Sequence, residues 1–230
     1  MPLTLKPRFV GNVYIIHCAG RIVLGPETKA LEAALDMASH EFSRFVLCLS
    51  ELERLDSIGL GLLVRFAAHL RKRGGDIRLA APPDFLVKLL ELTMISSSLR
   101  CFATEEEAIL SFLRQPPAAD APAPRGPRVL VVDESADLCV FVRTVLARHG
   151  FDVQSAGLVR DARVFLQAGH VDYVLVGPST SFLPAESALK TLTPLAPKAT
   201  ALRLADDFKV RDAADATDAL LVLFNLQRTP

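Results

Sequence analysis

The sequence has no net charge and no long run of apolar residues. Its 230 residues include 26 Lys and Arg against 26 Asp and Glu, so no overall field attracts nucleic acid or an acidic surface. No stretch reaches the roughly 18 apolar residues of a membrane-crossing helix, and the N-terminus lacks the pattern of a signal peptide. Since 50% of the residues are hydrophobic, we expect a soluble, cytoplasmic protein of one or two cored domains that binds no nucleic acid and enters no membrane.

Cysteine is scarce and scattered. Cys18, Cys48, Cys101 and Cys139 lie singly within apolar runs and never at CxxC spacing, which favours reduced, buried thiols. The five histidines are equally dispersed, and His17 is typical of a strand residue with a local hydrogen bond. We therefore predict no disulfide, no metal site and no cofactor.

Motifs of the common enzyme classes are also missing. The chain contains no GxxxxGK[ST] motif and no Ser-His-Asp order, and paired carboxylates that could line a cleft are not evident. The glycines of residues 59–61 lack the third glycine of a dinucleotide-binding fingerprint. We expect a protein that is not an enzyme, and turnover of a nucleotide would contradict this expectation.

The most informative run that is present spans residues 54–63 and reads RLDSIGLGLL. The apolar stretch at 44–50 before it is typical of a buried strand, and the apolar spacing after it predicts a helix that ends at residues 74–75. Ser57 is predicted to be the N-cap of that helix. Gly59 and Gly61 are costly in a helix, which indicates that another backbone comes close to them.

This run resembles the Asp-Ser-(Ser/Thr)-Gly-Leu-Gly signature of STAS domains, the anti-sigma factor antagonist family. The resemblance covers about residues 3–113: residues 20–25 resemble the family's second strand and its turn, 74–80 the strand after the signature helix, and 83–92 the following helix. It implies a mixed sheet with helices.

In that family the serine directly after the aspartate is the regulatory phosphorylation site, which here is Ser57. The unphosphorylated domain would bind an anti-sigma factor that is also a serine kinase, and phosphate on Ser57 would break the complex. Asp56 would hydrogen-bond the loop or the partner. The resemblance implies a partner-binding surface made of Asp56, Ser57, Ile58, Gly59 and Gly61, joined by Gly25 and Thr28.

Two alternatives remain open from the residues. The unit could be a constitutive STAS subunit of a larger signalling or lipid-transport complex, in which Ser57 only caps the helix. The segment that holds Gly25 and Thr28 could simply start a helix.

Residues 115–127 contain five prolines and four alanines without a bulky apolar residue. This composition predicts a semi-extended linker. The predicted organisation is a STAS domain over 1–114, the linker over 115–127 and a second domain over 128–230.

The second domain alternates strand and helix patterns, which predicts βαβ units and a parallel sheet. It resembles a degenerate response-regulator receiver domain with a flavodoxin-like sheet. Asp133 and Glu134 match the family's acidic pair, but the phosphoacceptor aspartate is replaced by Gly177. The acidic pair is therefore interpreted as vestigial, with no bound metal.

The last apolar run of the chain, residues 218–224, is predicted to be the fifth strand of this sheet. No room would then remain for a last helix, and one sheet face would be uncovered. We expect a homodimer through that face.

Overall fold

A computed structural model describes residues 1–96, 98–114, 126–180, 183–208, 210 and 213–226. The chain divides into two compact units, Met1–Ala118 and Ala119–Pro230. The predicted linker lies outside the described residues except for its last two. In the part of the chain that is described, no helix is both long and apolar enough to cross a membrane.

The first unit is a mixed sheet with four helices in its described residues. Its strands are β1 (Thr4–Val10), β2 (Val13–Ile22), β3 (Arg44–Leu55), β4 (Asp76–Ala80) and β5 (Arg100–Phe102). Its helices are α1 (Pro26–Ser39), α2 (Ser57–Lys72), α3 (Asp84–Leu92) and α4 (Glu105–Leu113). The strand order is β5-β4-β3-β2-β1, in which β1 pairs antiparallel with β2 and the other pairs are parallel. The mixed α/β architecture expected for this part is thereby confirmed.

Strand β3 alternates between two packed faces. Phe45, Leu47 and Leu49 join the core that α1, α2 and α3 complete, whereas Val46 and Cys48 point to the other face, which α4 covers. Strand β3 is the central strand of this sheet. Only Asp56 separates its C-terminal end from the first turn of α2.

The second unit has a parallel sheet. Its described strands are β6 (Arg128–Val132), β7 (Asp152–Ala156), β8 (Tyr173–Val176) and β9 (Thr200–Arg203), in the order β7-β6-β8-β9. Its described helices are α5 (Ala136–Arg148), α6 (Val159–Ala168), α7 (Ala185–Leu192) and α8 (Ala213–Leu223). This order is that of the first four strands of a doubly wound sheet.

The predicted fifth strand at 218–224 is wrong, because these residues belong mainly to helix α8. Leu220, Leu221 and Phe224 pack against Val129 and other residues of the sheet, together with α5, and the opposite face is covered by α6 and α7. Both faces of the sheet are therefore covered within the unit. Among the described residues this sheet has no uncovered face, on which the expected homodimer depended.

Candidate functional site

Helix α2 begins one residue earlier than the sequence pattern predicts. The N-cap is Asp56, whose Oδ1 accepts a hydrogen bond from the backbone N–H of Gly59 at 2.8 Å, and Ser57 is the first residue of the helix. The prediction that Ser57 is the N-cap is therefore wrong. An Asp at this position satisfies one of the free N–H groups of the first turn and complements the helix dipole.

The second carboxylate oxygen of Asp56 fixes a neighbouring loop. Oδ2 accepts a hydrogen bond from the N–H of Leu24 at 2.8 Å, and the backbone N–H of Asp56 donates to the carbonyl of Ile22. The amide of Gly59, and after it that of Leu24, stabilises the ionised carboxylate and lowers its pKa below the ordinary value. Asp56 thus holds the turn after β2 against the start of α2.

Ser57 lies on the surface created by this junction. Its side chain is exposed, and the hydroxyl makes no hydrogen bond to any described residue. Two apolar side chains on the joined segments are also exposed, Leu24 at 72% and Ile58 at 46%. We name Leu24, Ser57 and Ile58 the α2 patch; it combines one free hydroxyl with apolar contact area.

The two glycines of the first turns differ in their surroundings. A Cβ on Gly59 would lie 2.7 Å from the carbonyl oxygen of Ile22 and 2.8 Å from Cδ1 of Leu55, whereas a Cβ on Gly61 would meet only the tip of Arg65, at 3.4 Å. The predicted close approach of another backbone is confirmed for Gly59 and wrong for Gly61. Gly59 is buried and lets the first turn of α2 pack closely against Ile22 and Leu55.

The turn that contributes Leu24 begins helix α1. Gly25 is its N-cap residue with φ 140°, a conformation that favours glycine. Thr28 is 7% exposed, and its hydroxyl donates to the carbonyl of Gly25 at 3.1 Å. Thr28 therefore stabilises the turn at the start of α1 and has little exposed area, and its place in a partner-binding surface stays a prediction.

A second cluster of reactive side chains lies on the other sheet face and was missed at the level of sequence. His17 of β2, Cys48 of β3 and Glu105 of α4 bring their ligating atoms within 4.8 Å of one another. Sequence spacing gave no signal, because the three residues come from separate elements. Strand register could have provided one, since His17 and Cys48 are directly paired across β2 and β3.

In the second unit, the side chain of Asp133 occupies the space beside Gly177, which stands at the sequence position of the phosphoacceptor. A Cβ on Gly177 would lie 2.8 Å from Cγ and 2.9 Å from Cβ of Asp133. Asp133 is 1% exposed, and its two carboxylate oxygens accept hydrogen bonds from the amides of Ser135 (2.7 Å) and Ser179 (2.8 Å). Burial raises the pKa of Asp133, while these two amides act in the opposite direction.

Asp133 and Glu134 thus differ in burial and in the role of their side chains. The side chain of Asp133 anchors two loops, whereas that of Glu134 is exposed and its backbone N–H donates to the carbonyl of Ser179 at 2.8 Å. Both oxygens of Asp133 are already used by the backbone. Asp133 therefore has a structural role, and the interpretation of the acidic pair as vestigial in phosphate chemistry stays a prediction.

Comparison with known proteins concerns the first unit. Residues 5–108 match the sequence model of the STAS domain family, and no curated protein matches the chain. Among solved structures, SpoIIAA, described as an anti-sigma factor antagonist in its unphosphorylated form, is 16% identical, with a TM-score of 0.41 over 50% of this chain and 99% of that one.

Two further solved structures are similar over the same half of the chain. The Bacillus cell fate determinant SpoIIAA in its phosphorylated form is 20% identical, with a TM-score of 0.41 over 47% of this chain and 99% of that one. An anti-sigma factor antagonist from Mycobacterium paratuberculosis is 22% identical, with a TM-score of 0.43 over 47% and 92%. Residues 5–108 are thus similar to the STAS domain family, and Asp56 and Ser57 lie within the matched segment, at the start of helix α2.

Proposed function

We propose that the first unit is an anti-sigma factor antagonist whose binding to an anti-sigma factor is controlled by phosphorylation of Ser57. The observation that carries the proposal is the state of the Ser57 side chain: it is exposed and forms no hydrogen bond to described residues. Ile58 next to it and Leu24, whose N–H is bonded to Asp56, are exposed as well. A kinase can reach such a hydroxyl without breaking the fold. A partner that covers the α2 patch would bury it.

Phosphorylation would act on this surface through charge. A phosphoserine adds about −1.5 to −2 charges at neutral pH, here next to the ionised carboxylate of Asp56. Binding a partner would then require the removal of water from a dianion within an apolar contact. Moving a complex from 99:1 bound to 1:99 requires about 5.5 kcal/mol of differential affinity, which a buried and unpaired phosphate can supply.

The proposal is for a binding function and not for catalysis. Both oxygens of Asp56 accept backbone hydrogen bonds, and the lowered pKa of this carboxyl makes it a weak base. Asp56 is therefore a positioning residue that holds Leu24 beside Ser57.

The test is a pull-down from source-cell lysate with wild type, Ser57→Ala and Ser57→Asp as baits, followed by identification of the retained proteins. Wild type and Ser57→Ala should retain an anti-sigma factor of the serine-kinase type, and Ser57→Asp should lose it. Ser50→Asp is the matched control, because Ser50 is also exposed in this unit and the substitution adds the same charge. Its retention should equal that of wild type.

Two results would overturn the proposal. If all four baits retain the same partners, the unit is a constitutive subunit of a larger assembly without a phosphoswitch. If Ser50→Asp loses the partner as completely as Ser57→Asp, the effect is one of net charge and does not belong to the α2 patch.

For the second unit we propose a receiver-like domain that does not accept phosphate. The strand order and the replacement of the phosphoacceptor by Gly177 support this, as does the use of both Asp133 oxygens by backbone amides. Incubation with acetyl phosphate and Mg²⁺ should leave the mass of residues 128–230 unchanged. An acid-labile phosphate in this segment would contradict the proposal.

A further inference from the structure

We propose that His17, Cys48 and Glu105 form a binding site for a divalent transition metal ion, with Zn²⁺ as the expected ion. The three side chains come from β2, β3 and the first turn of α4, and one ligating atom from each lies within 4.8 Å of the other two. They are on the sheet face opposite to α1 and α2. The proposal therefore does not depend on the function proposed for Ser57.

The backbone holds the three groups together. His17 and Cys48 are directly paired in the parallel register of β2 and β3, so both side chains project to the same face. Glu105 is the first residue of α4, whose N-cap Thr104 accepts a hydrogen bond from the N–H of Glu107. Each donor is thus placed by regular secondary structure and not by a loop.

The contacts converge on one atom of Glu105. Its Oε2 lies 2.6 Å from Sγ of Cys48 and 2.7 Å from Nε2 of His17. Zinc bonds of roughly 2.0–2.3 Å to N, O and S put the ligating atoms of a tetrahedral site about 3.2–3.7 Å apart. An ion can therefore enter if the carboxylate withdraws by about 1 Å, a movement that a side-chain rotation provides.

The donor set suits zinc in both type and charge. One imidazole, one thiolate and one carboxylate are the ligands that Zn²⁺ takes in proteins, and three protein ligands leave a fourth position for water. The thiolate and the carboxylate together neutralise the ion. Cys48 is 4% exposed, so binding would replace a thiol proton by the metal in a site largely shielded from solvent.

The structure also provides access for the ion and fixes the orientation of the Glu105 carboxylate. The side chains of His17 and Glu105 are 35% and 22% exposed, which leaves an entry path from solvent. Arg8 pairs with the other carboxylate oxygen, Oε1 of Glu105, and so keeps Oε2 directed at His17 and Cys48. Such outer hydrogen bonds to ligating carboxylates are a regular feature of metal sites.

The two other cysteines of the unit, Cys18 and Cys101, allow the proposed metal site to be distinguished from metal binding by any single thiol. Cys18 belongs to the core on the opposite sheet face, and burial raises the pKa of its thiol to about 12. Cys101 is an exposed free thiol of β5. A surface thiol that binds metal adventitiously would behave like Cys101, and the proposed site would not.

The experiment is a Co²⁺ titration of the full chain, followed by absorption spectroscopy and by displacement with Zn²⁺. Wild type should bind about one ion per chain and show both the near-ultraviolet band of a thiolate–Co²⁺ bond and the visible bands of tetrahedral Co²⁺. Cys101→Ser should retain the spectrum. Cys48→Ser should lose the thiolate band, and His17→Gln should weaken binding at least tenfold while the thiolate band remains at saturation.

Thermal unfolding without metal tests whether each variant is folded. The Tm of His17→Gln should equal that of wild type, because the His17 side chain is partly exposed. Zn²⁺ should raise the Tm of wild type but not that of Cys48→Ser. A thiolate band that persists in Cys48→Ser, or that disappears in Cys101→Ser, would overturn the proposal. Unchanged affinity in His17→Gln would do so as well.

Discussion

Asp56 connects the two segments on which the candidate site is built, and its protonation state controls that connection. Because its pKa is lowered in the folded state, the ionised carboxylate contributes stability above the unfolded value of about 3.9, and this contribution is lost as the pH falls through the folded value. Asn can still cap Gly59, but its amide group cannot also accept from Leu24. We expect the amides of α2 in Asp56→Asn to exchange hydrogen faster than wild type near pH 7.

This difference should close as the pH falls below about 4, since wild type then loses the same interaction. Hydrogen exchange with mass spectrometry at several pH values measures it, with Ser57→Ala as the control, because the hydroxyl of Ser57 has no partner among the described residues. Asp56→Ala should cost about 1 kcal/mol of folding free energy at neutral pH. An Asp56→Asn difference that is independent of pH would show that the carboxylate charge does not hold the turn.

Gly59 and Gly61 provide a matched pair at the same scale. Gly59→Ala places a methyl group 2.7 Å from the carbonyl oxygen of Ile22, so we expect a loss of about 1–3 kcal/mol in spite of the better helix propensity of alanine. Gly61→Ala meets only a flexible arginine tip and should gain up to about 1 kcal/mol. Denaturant unfolding followed by circular dichroism measures both, and effects of equal sign would contradict the close packing of α2 on β2.

At the scale of elements, β6 and β8 are coupled through Asp133 and Gly177. Gly177→Ala should destabilise the second unit by about 1–3 kcal/mol, because the new Cβ would lie 2.8 Å from Cγ of Asp133. In an Asp133→Ala background the same substitution should cost clearly less, and the difference is the coupling energy of the pair. Gly157→Ala is the control, since its Cβ would meet nothing within 4 Å.

Thermal unfolding of wild type, Gly177→Ala, Asp133→Ala and the double variant measures this coupling energy. Additive effects would show that Asp133 does not fill the space above Gly177. The same geometry implies that Gly177→Asp alone cannot recreate a phosphoacceptor, because the space and the amides it would need are occupied by Asp133.

The elements themselves were predictable where a local pattern was long enough. Helix α2 and strand β3 follow from apolar spacing, and the error in the helix start was a single residue at Asp56. The strand predicted at 218–224 is wrong because a short apolar run does not distinguish a strand from a buried helix. The structure resolves this through Val222, which is 78% exposed between the buried Leu221 and the core residue Phe224, as a helix requires and a fully buried strand forbids.

At the scale of the whole first unit, the two sites differ in how far sequence could predict them. The α2 patch is built around one contiguous motif, so most of it was visible as a pattern, and only the contribution of Leu24 required the fold. The cluster of His17, Cys48 and Glu105 depends on strand register and on the return of α4 across the sheet. No spacing in the chain contains that information.

The same separation predicts that the two sites act independently. Cys48 and Asp56 are eight residues apart along β3 and its end, or about 25 Å at the rise of a strand, and they serve opposite sheet faces. Effects at sites more than about 10 Å apart normally add within about 0.5 kcal/mol. We expect Ser57→Asp to leave the Co²⁺ affinity and the thiolate band unchanged, and we expect Zn²⁺ to raise the Tm of Ser57→Asp as much as that of wild type. An altered Co²⁺ affinity in Ser57→Asp would instead show that β3 transmits the state of Ser57 to the metal site.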